Sequence, residues 1–235
     1  MRTAGRNLQD GAAMAARTTL RGPLSRDEII TAALDLAESD GLEKLSLHRI
    51  AAAVGVKTTS LYHHVSDKAD VLDAMADHVL SSVVIPDVDA MDWPDAVRAT
   101  SYAFRTAAMR YPSSAPLLLV RSPDRPTLLP IVDLALRALR RAGLERSLAV
   151  HVMRAHIAFL VGSLLRESGV TANGSAATVI AGPHVDLLSA HLPAVAESAD
   201  ELAACDHDAE FEFGLELLVS SVRQRLSARP DRPVG

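Results

Sequence analysis

The sequence predicts an all-α protein: an N-terminal three-helix module containing a helix-turn-helix, followed by a larger helical domain. Three observations predict it. Ala, Leu, Arg and Asp dominate while aromatic residues make up 3%, a balance that favours helices over strands. Apolar residues recur at three- and four-residue steps, and no apolar–polar alternation persists over more than a few residues. Proline and glycine separate the periodic stretches.

Residues 1–24 lack periodicity and read as a flexible basic arm. Ser25-Arg26-Asp27-Glu28 is a capping box, and Ile29, Ile30, Ala33, Leu34 and Ala37 then share one helix face. Gly41 stops that helix. A short second helix is expected from Ser46 to Val54, a turn at Gly55, and a third helix from Lys57 to His64. Ser66 is the expected cap of a fourth helix over 67–83, which turns Val71, Leu72, Met75 and Val79 toward a core. Residues 25–83 thus form one module with its connecting helix. Past Pro86, longer amphipathic helices are expected at 93–110, 113–121, 125–142, 147–168, 184–204 and 207–227. They build a domain over 84–228, with a tail at 229–235.

With 235 residues, 49% of them apolar and 23% charged, the chain can bury a core and is too apolar to be mostly disordered. The single cysteine, Cys205, excludes an internal disulfide framework and a cysteine-based zinc cluster and fits a reducing cytosol. No uncharged apolar run reaches about 18 residues and no apolar signal segment follows the N-terminal arginines, so a cytoplasmic protein with no membrane partner is expected.

A formal net charge of −5 and an isoelectric point near 6.0 argue at first against a nucleic-acid partner. The distribution argues otherwise. Arg2, Arg6, Arg17, Arg21 and Arg26 face Asp10 alone in the first 26 residues. Residues 44–68 hold every lysine of the chain (Lys44, Lys57, Lys68) and Arg49, against Asp67 alone. Phosphates respond to potential within a Debye length of about 8–10 Å, not to whole-chain charge.

The run from Leu47 to Val65 has helix-turn-helix spacing. Ala51 gives the small contact a steep crossing needs, and Gly55 tolerates the positive φ of the turn. Ile50, Val54, Val56, Leu61 and Val65 are anchors. That leaves Lys57, Thr58, Thr59, Ser60, Tyr62, His63 and His64, which suit phosphates and base edges in a major groove. A purely structural bundle is the alternative. An ordinary solvated face mixes both signs, however, and residues 44–66 contain no Asp or Glu.

These residues carry a resemblance. Ala32-Ala33-Leu34-Asp35-Leu36, Asp40-Gly41-Leu42, Ile50-Ala51, Gly55-Val56, Ser60-Leu61-Tyr62-His63-His64-Val65 and Lys68 resemble the DNA-binding domain of TetR-family transcriptional regulators. Ser101–Arg105, Gly162 and the run Phe211–Leu217 resemble the tetracycline repressor type of C-terminal domain, so the likeness covers about 24–228. It implies a homodimer on a pseudo-palindromic double-stranded DNA operator, with the third helix in the major groove, released when a small molecule fills the C-terminal domain. Carried over by position, it implies DNA contacts from Ser46, His48, Thr58, Ser60, Tyr62, His63, His64 and Lys68; the chemistry adds Lys57 and Thr59. Tyr62 and Lys68 suit phosphates, while Thr58, Thr59 and His63 suit base discrimination. His48 stands where tetracycline-responsive members have a guanine-reading arginine, so operator sequence does not transfer.

In the C-terminal domain, Trp93, Tyr102, Leu118, His156 and Phe159 are candidate ligand contacts. Arg105, Arg121 and Arg166 join them, since a charge on a mainly apolar helix needs a partner; for Arg121 and Arg166, Glu167 or an Asp is one candidate and an anionic or polar effector another. By alignment with the family, Leu118 and Arg166 replace a histidine and a glutamate that help hold magnesium. No metal, no cofactor and no magnesium–tetracycline response are therefore expected. Leu148, Val152, Ala155, Phe159 and Gly162, with Phe211, Leu215, Leu218, Val222 and Leu226, form stripes that the resemblance assigns to a dimer interface.

Catalytic patterns do not assemble. Cys205 and His207 at i, i+2 do not share a helix face, and no histidine pair has i, i+4 zinc spacing. A ligand-responsive transcriptional repressor, not an enzyme, is the expectation. The alternative is a helical small-molecule-binding protein or enzyme with a vestigial DNA-binding module.

Overall fold

The computed structural model describes residues 23–85, 87–115, 119, 126–169 and 191–227, and every regular element among them is helical. Residues 1–22 of the arm and the tail, and with them Leu118, Arg121 and His184, lie outside the described residues.

Helix α1, Arg26–Asp40, opens on the box read from the sequence. The Ser25 hydroxyl accepts from the Glu28 N–H at 3.1 Å, and the Glu28 carboxylate accepts from the Ser25 N–H at 2.9 Å. The helix ends at Gly41, φ +89°. A 3₁₀ turn, Leu42–Lys44, leads to α2, Leu47–Val54, whose Ser46 cap accepts from the Arg49 N–H at 3.3 Å. Gly55 closes α2 in the left-handed region at φ +74°, and the Gly55 and Val56 N–H groups return to the Ala52 and Ala51 carbonyls. Ile29, Ile30 and Leu34 from α1, Ile50 and Val54 from α2, and Leu61 and Val65 beyond the turn are all buried.

Two expectations are corrected here. The third helix, α3, is the single turn Thr58–Leu61. Lys57 precedes it in extended conformation, and the chain turns after Leu61, whose carbonyl accepts from both the His64 and Val65 N–H groups. The regular helix lapses beyond Leu61, although Val65, four residues on, stays buried and still donates to the Leu61 carbonyl at 2.9 Å. The next helix, α4, Lys68–Ser81, is capped by Asp67, not Ser66. The Asp67 carboxylate accepts from the Asp70 N–H at 2.8 Å, and the Asp70 carboxylate accepts from the Ser66 N–H at 2.8 Å. An ionised carboxylate is the stronger acceptor for an orphan helix N–H.

The chain separates into two compact units, 1–72 and 73–235, and the division falls within α4. In the second unit, α5, Trp93–Ala108, is capped by Asp92, with Pro94 in its first turn. The expected 125–142 helix begins as a 3₁₀ turn, Pro126–Leu128, before α6, Leu129–Arg141, because Pro126 and Pro130 lack N–H donors. Helix α7 is Arg146–Glu167. Of the expected 184–204 helix, the described part is two short pieces, α8, Pro193–Glu197, and α9, Ala199–Ala203. This alanine-rich stretch buries none of its described side chains, so packing does not extend either piece. The last helix is α10, His207–Ser227.

Helices α5, α6 and α10 pack on α7. By length and composition alone α7 is apolar enough to cross a membrane; no other described helix is. The crossing of α7 and α10 is tight at Gly214, where an added Cβ would overlap the Phe159 ring. Phe159 stacks on Phe211 at 5.6 Å between centroids.

Candidate nucleic-acid interface and ligand cavity

The first unit sorts its side chains by burial. Ile50, Ala51, Val54, Leu61 and Val65 point inward, and His48, Lys57, Thr59, Tyr62, His63 and Lys68 are exposed. Ser46, Thr58, Ser60 and His64 are half-buried. Tyr62 is 57% exposed, a large aromatic left in water. Thr58 Oγ1 lies 3.5 Å from His48 Nδ1, so the start of α2 and the start of α3 present a joint polar edge. The Lys68 ammonium donates to the Leu42 carbonyl at 3.4 Å, a long contact that leaves it exposed.

The positive zone is narrower than the charge count implies. Arg49 is ion-paired with Asp40, and Arg26 with Asp70 while also donating to the His64 carbonyl. The Arg26 guanidinium holds the Asp70 carboxyl below its ordinary pKa, with help from the Ser66 N–H. Lys44, Lys57 and Lys68 are the exposed lysines left on this side of the chain.

In the second unit a cavity of about 590 Å³ opens among α5, α6, α7 and α10, a size that suits a drug-sized ligand. Its wall is predominantly aliphatic. Trp93 and His156 line it, as expected, together with Phe104, Leu119 and Met153. The other described candidates do not line it. Tyr102 donates to Glu212 at 2.7 Å and packs edge-on against Phe211. Arg105 binds Glu167 through two N–H groups at 2.8 and 2.7 Å, reaches Asp208 at 2.6 Å and lies over the Phe211 ring. The partner foreseen for Arg166 is therefore taken by Arg105. Arg166 is exposed and meets the Cys205 sulfur at 3.8 Å.

His156 is the polar exception in the wall. Burial lowers its pKa to about 4, which keeps the imidazole neutral at pH 7. Ser101 Oγ lies 2.8 Å from its Nε2 and 2.6 Å from the Val97 carbonyl. Thr100, also in the wall, donates to its own helix at the Ala96 carbonyl.

Sequence reasoning missed the α6 side of the cavity: Leu128, Ile131, Ala135 and Ala138. Their three- and four-residue spacing was available as a signal of a buried face. Periodicity does not separate a cavity wall from solid core. It also missed Val88, which lines the cavity from the segment after α4, with Arg141 donating to the Val88 and Asp89 carbonyls at 3.1 and 3.2 Å. No group of three or more potential metal ligands occurs among the described residues.

Comparison with known proteins follows the same division. Residues 29–75 match the family model described as bacterial regulatory proteins, tetR family, and residues 85–226 the one described as tetracyclin repressor-like, C-terminal domain. An HTH-type transcriptional regulator of Saccharopolyspora erythraea is 30% identical over 200 residues, 85% of this chain and 84% of that one. The class A tetracycline repressor from transposon 1721, in Escherichia coli, is 30% identical over 207 residues, covering 86% and 92%. Among solved structures, Streptomyces coelicolor ActR in complex with (S)-DNPA superposes with a TM-score of 0.71 at 26% identity, covering 86% and 98% of the two chains.

Proposed function

The chain belongs to the TetR family of bacterial transcriptional regulators, and we propose that it acts in the cytoplasm as a homodimeric repressor whose operator grip is released by a small molecule. It is a ligand-responsive, DNA-binding regulator; the contacts, the dimer and the release route are what the proposal adds. The observation that carries the DNA reading is the sorting around Gly55. Five apolar side chains anchor the α2–α3 pair, and the polar set His48, Lys57, Thr59, Tyr62 and His63 is left on the outside. Tyr62 and Lys68 hold phosphates; Thr58, Thr59 and His63, with Ser46, Ser60 and His64 at the edges, read or frame the bases. Selection of bound duplexes from a random pool tests this: an inverted repeat whose half-sites lie about one helical turn apart is expected, and enrichment of no sequence at all would refute it.

The dimer reading rests on what the second unit leaves uncovered. Phe211, Leu215 and Val222, read from sequence as interface, are buried within the unit. On α7 and α10 the exposed large apolar side chains are instead Ile157, Phe213 and Leu217, 42%, 64% and 57% exposed. Gly162 on α7 has open space where a Cβ would point. These positions suit a two-fold contact between α7 and α10 of two copies.

For release, an effector must favour the conformer that mismatches the half-sites by about 1–3 kcal/mol. The ActR relative bound to (S)-DNPA supports a small-molecule effector. Val88, which lines the cavity, follows the end of α4 at Ser81 by seven residues, the short stretch of chain a release route would use. No magnesium–tetracycline response is expected: the lining that is described offers no carboxylate to a hard cation. Calorimetry showing tight magnesium-dependent tetracycline binding would contradict this.

A further inference from the structure

We propose that the cavity takes an uncharged, largely apolar effector carrying one hydroxyl or N–H group that donates a hydrogen bond to His156 Nδ1. This rests on reading the cavity as the effector site and names the chemistry of what enters it.

The assignment comes from following protons. Ser101 is fully buried, and its hydroxyl carries one hydrogen. The Val97 carbonyl, 2.6 Å away, only accepts, so that hydrogen goes to it. Ser101 Oγ then has lone pairs alone to offer His156 Nε2 at 2.8 Å, and Nε2 must bear the N–H. A neutral imidazole has one such proton, which leaves Nδ1 as an acceptor. Among the described residues Nδ1 has no hydrogen-bond partner, while His156 lines the cavity. The hydroxyl of the described lining, Thr100, spends its hydrogen on the Ala96 carbonyl. Beside the Trp93 indole N–H, which only donates, the described wall thus offers one uncharged side-chain acceptor, the His156 lone pair, and a donor on the ligand is its complement.

Charge is disfavoured for the same reason. Removing an ionised carboxylate from water into an aliphatic wall is costly without a buried partner. Arg154 is the one formally charged residue of the described lining, and it is exposed, so its guanidinium stays hydrated. A neutral ring system with a phenol, alcohol or amide N–H satisfies both conditions.

Three probes of one shape test this on the full chain by isothermal titration at pH 7: 2-naphthol, which donates; 2-methoxynaphthalene, which only accepts; and 2-naphthoate, which is charged. The expected order places 2-naphthol about tenfold tighter than each of the others. In His156→Leu the naphthol advantage over the methoxy probe falls to about twofold or less. Ser101→Ala, a smaller change that frees the Nε2 proton, reduces the same ratio should His156→Leu fail to fold. Long-range ¹⁵N spectra are expected to place the proton of His156 on Nε2. Equal binding of naphthol and the methoxy probe, tighter binding of naphthoate, or a proton on Nδ1 overturns the inference and leaves the effector cavity standing. Failure of every probe to bind overturns both.

Discussion

A neutral imidazole held in an apolar wall ties stability to pH. His156 has a pKa near 4 when folded and about 6.5 when unfolded. Between those values the unfolded chain binds more protons, so stability is full above about pH 6.5 and falls as pH drops. Going from about pH 7 to pH 5 is expected to cost about 1–2 kcal/mol through this residue, and denaturant midpoints for the wild type and His156→Gln should converge as pH falls. A second residue-scale consequence sits at Gly214. Gly214→Ala pushes a methyl into the Phe159 ring, which is already stacked on Phe211. A loss of roughly 1–3 kcal/mol is expected in thermal or urea unfolding. Phe159→Leu should recover part of it. Arg105 is likewise a matter of packing more than of ligand: its two carboxylate partners and the Phe211 face account for its place on α5.

At the scale of elements, what could be read beforehand was whatever is local. The Ser25 box, the Gly41 stop and the left-handed Gly55 each depend on a few neighbouring residues, and each stands where the sequence puts it. Gly55→Ala forces a Cβ into φ +74°, and about 1 kcal/mol of the first unit's stability is expected to go with it. Operator affinity should fall further than that, because the turn aims α3. The extent of α3 was not legible, since Leu61 and Val65 keep the i, i+4 apolar spacing of a continuous helix although the regular part ends at Leu61. Nor was the neutralisation of Arg49 by Asp40 and of Arg26 by Asp70. Both partners lie outside the stretches counted with their arginines, and counting charges along the chain over-read the positive zone. The cavity wall on α6 escaped for a different reason: solid core and hollow core carry the same apolar period.

At the scale of the molecule, the proposed function depends on two copies acting together. Phe213 and Leu217 are exposed in the single chain, so Leu217→Asp should leave helix content and unfolding of the monomer almost unchanged. Sedimentation is expected to shift from dimer to monomer, with loss of operator binding; a dimer that survives this charge would place the interface elsewhere. The most direct test of the docking itself is a salt series on a selected duplex, comparing wild type with Tyr62→Phe/Lys68→Ala. If α3 lies in the groove with these side chains on phosphates, affinity drops on every sequence and the slope of log affinity against log salt shrinks by about one unit per protomer. Unchanged affinity and an unchanged slope would mean that the exposed face after Gly55 does not touch DNA.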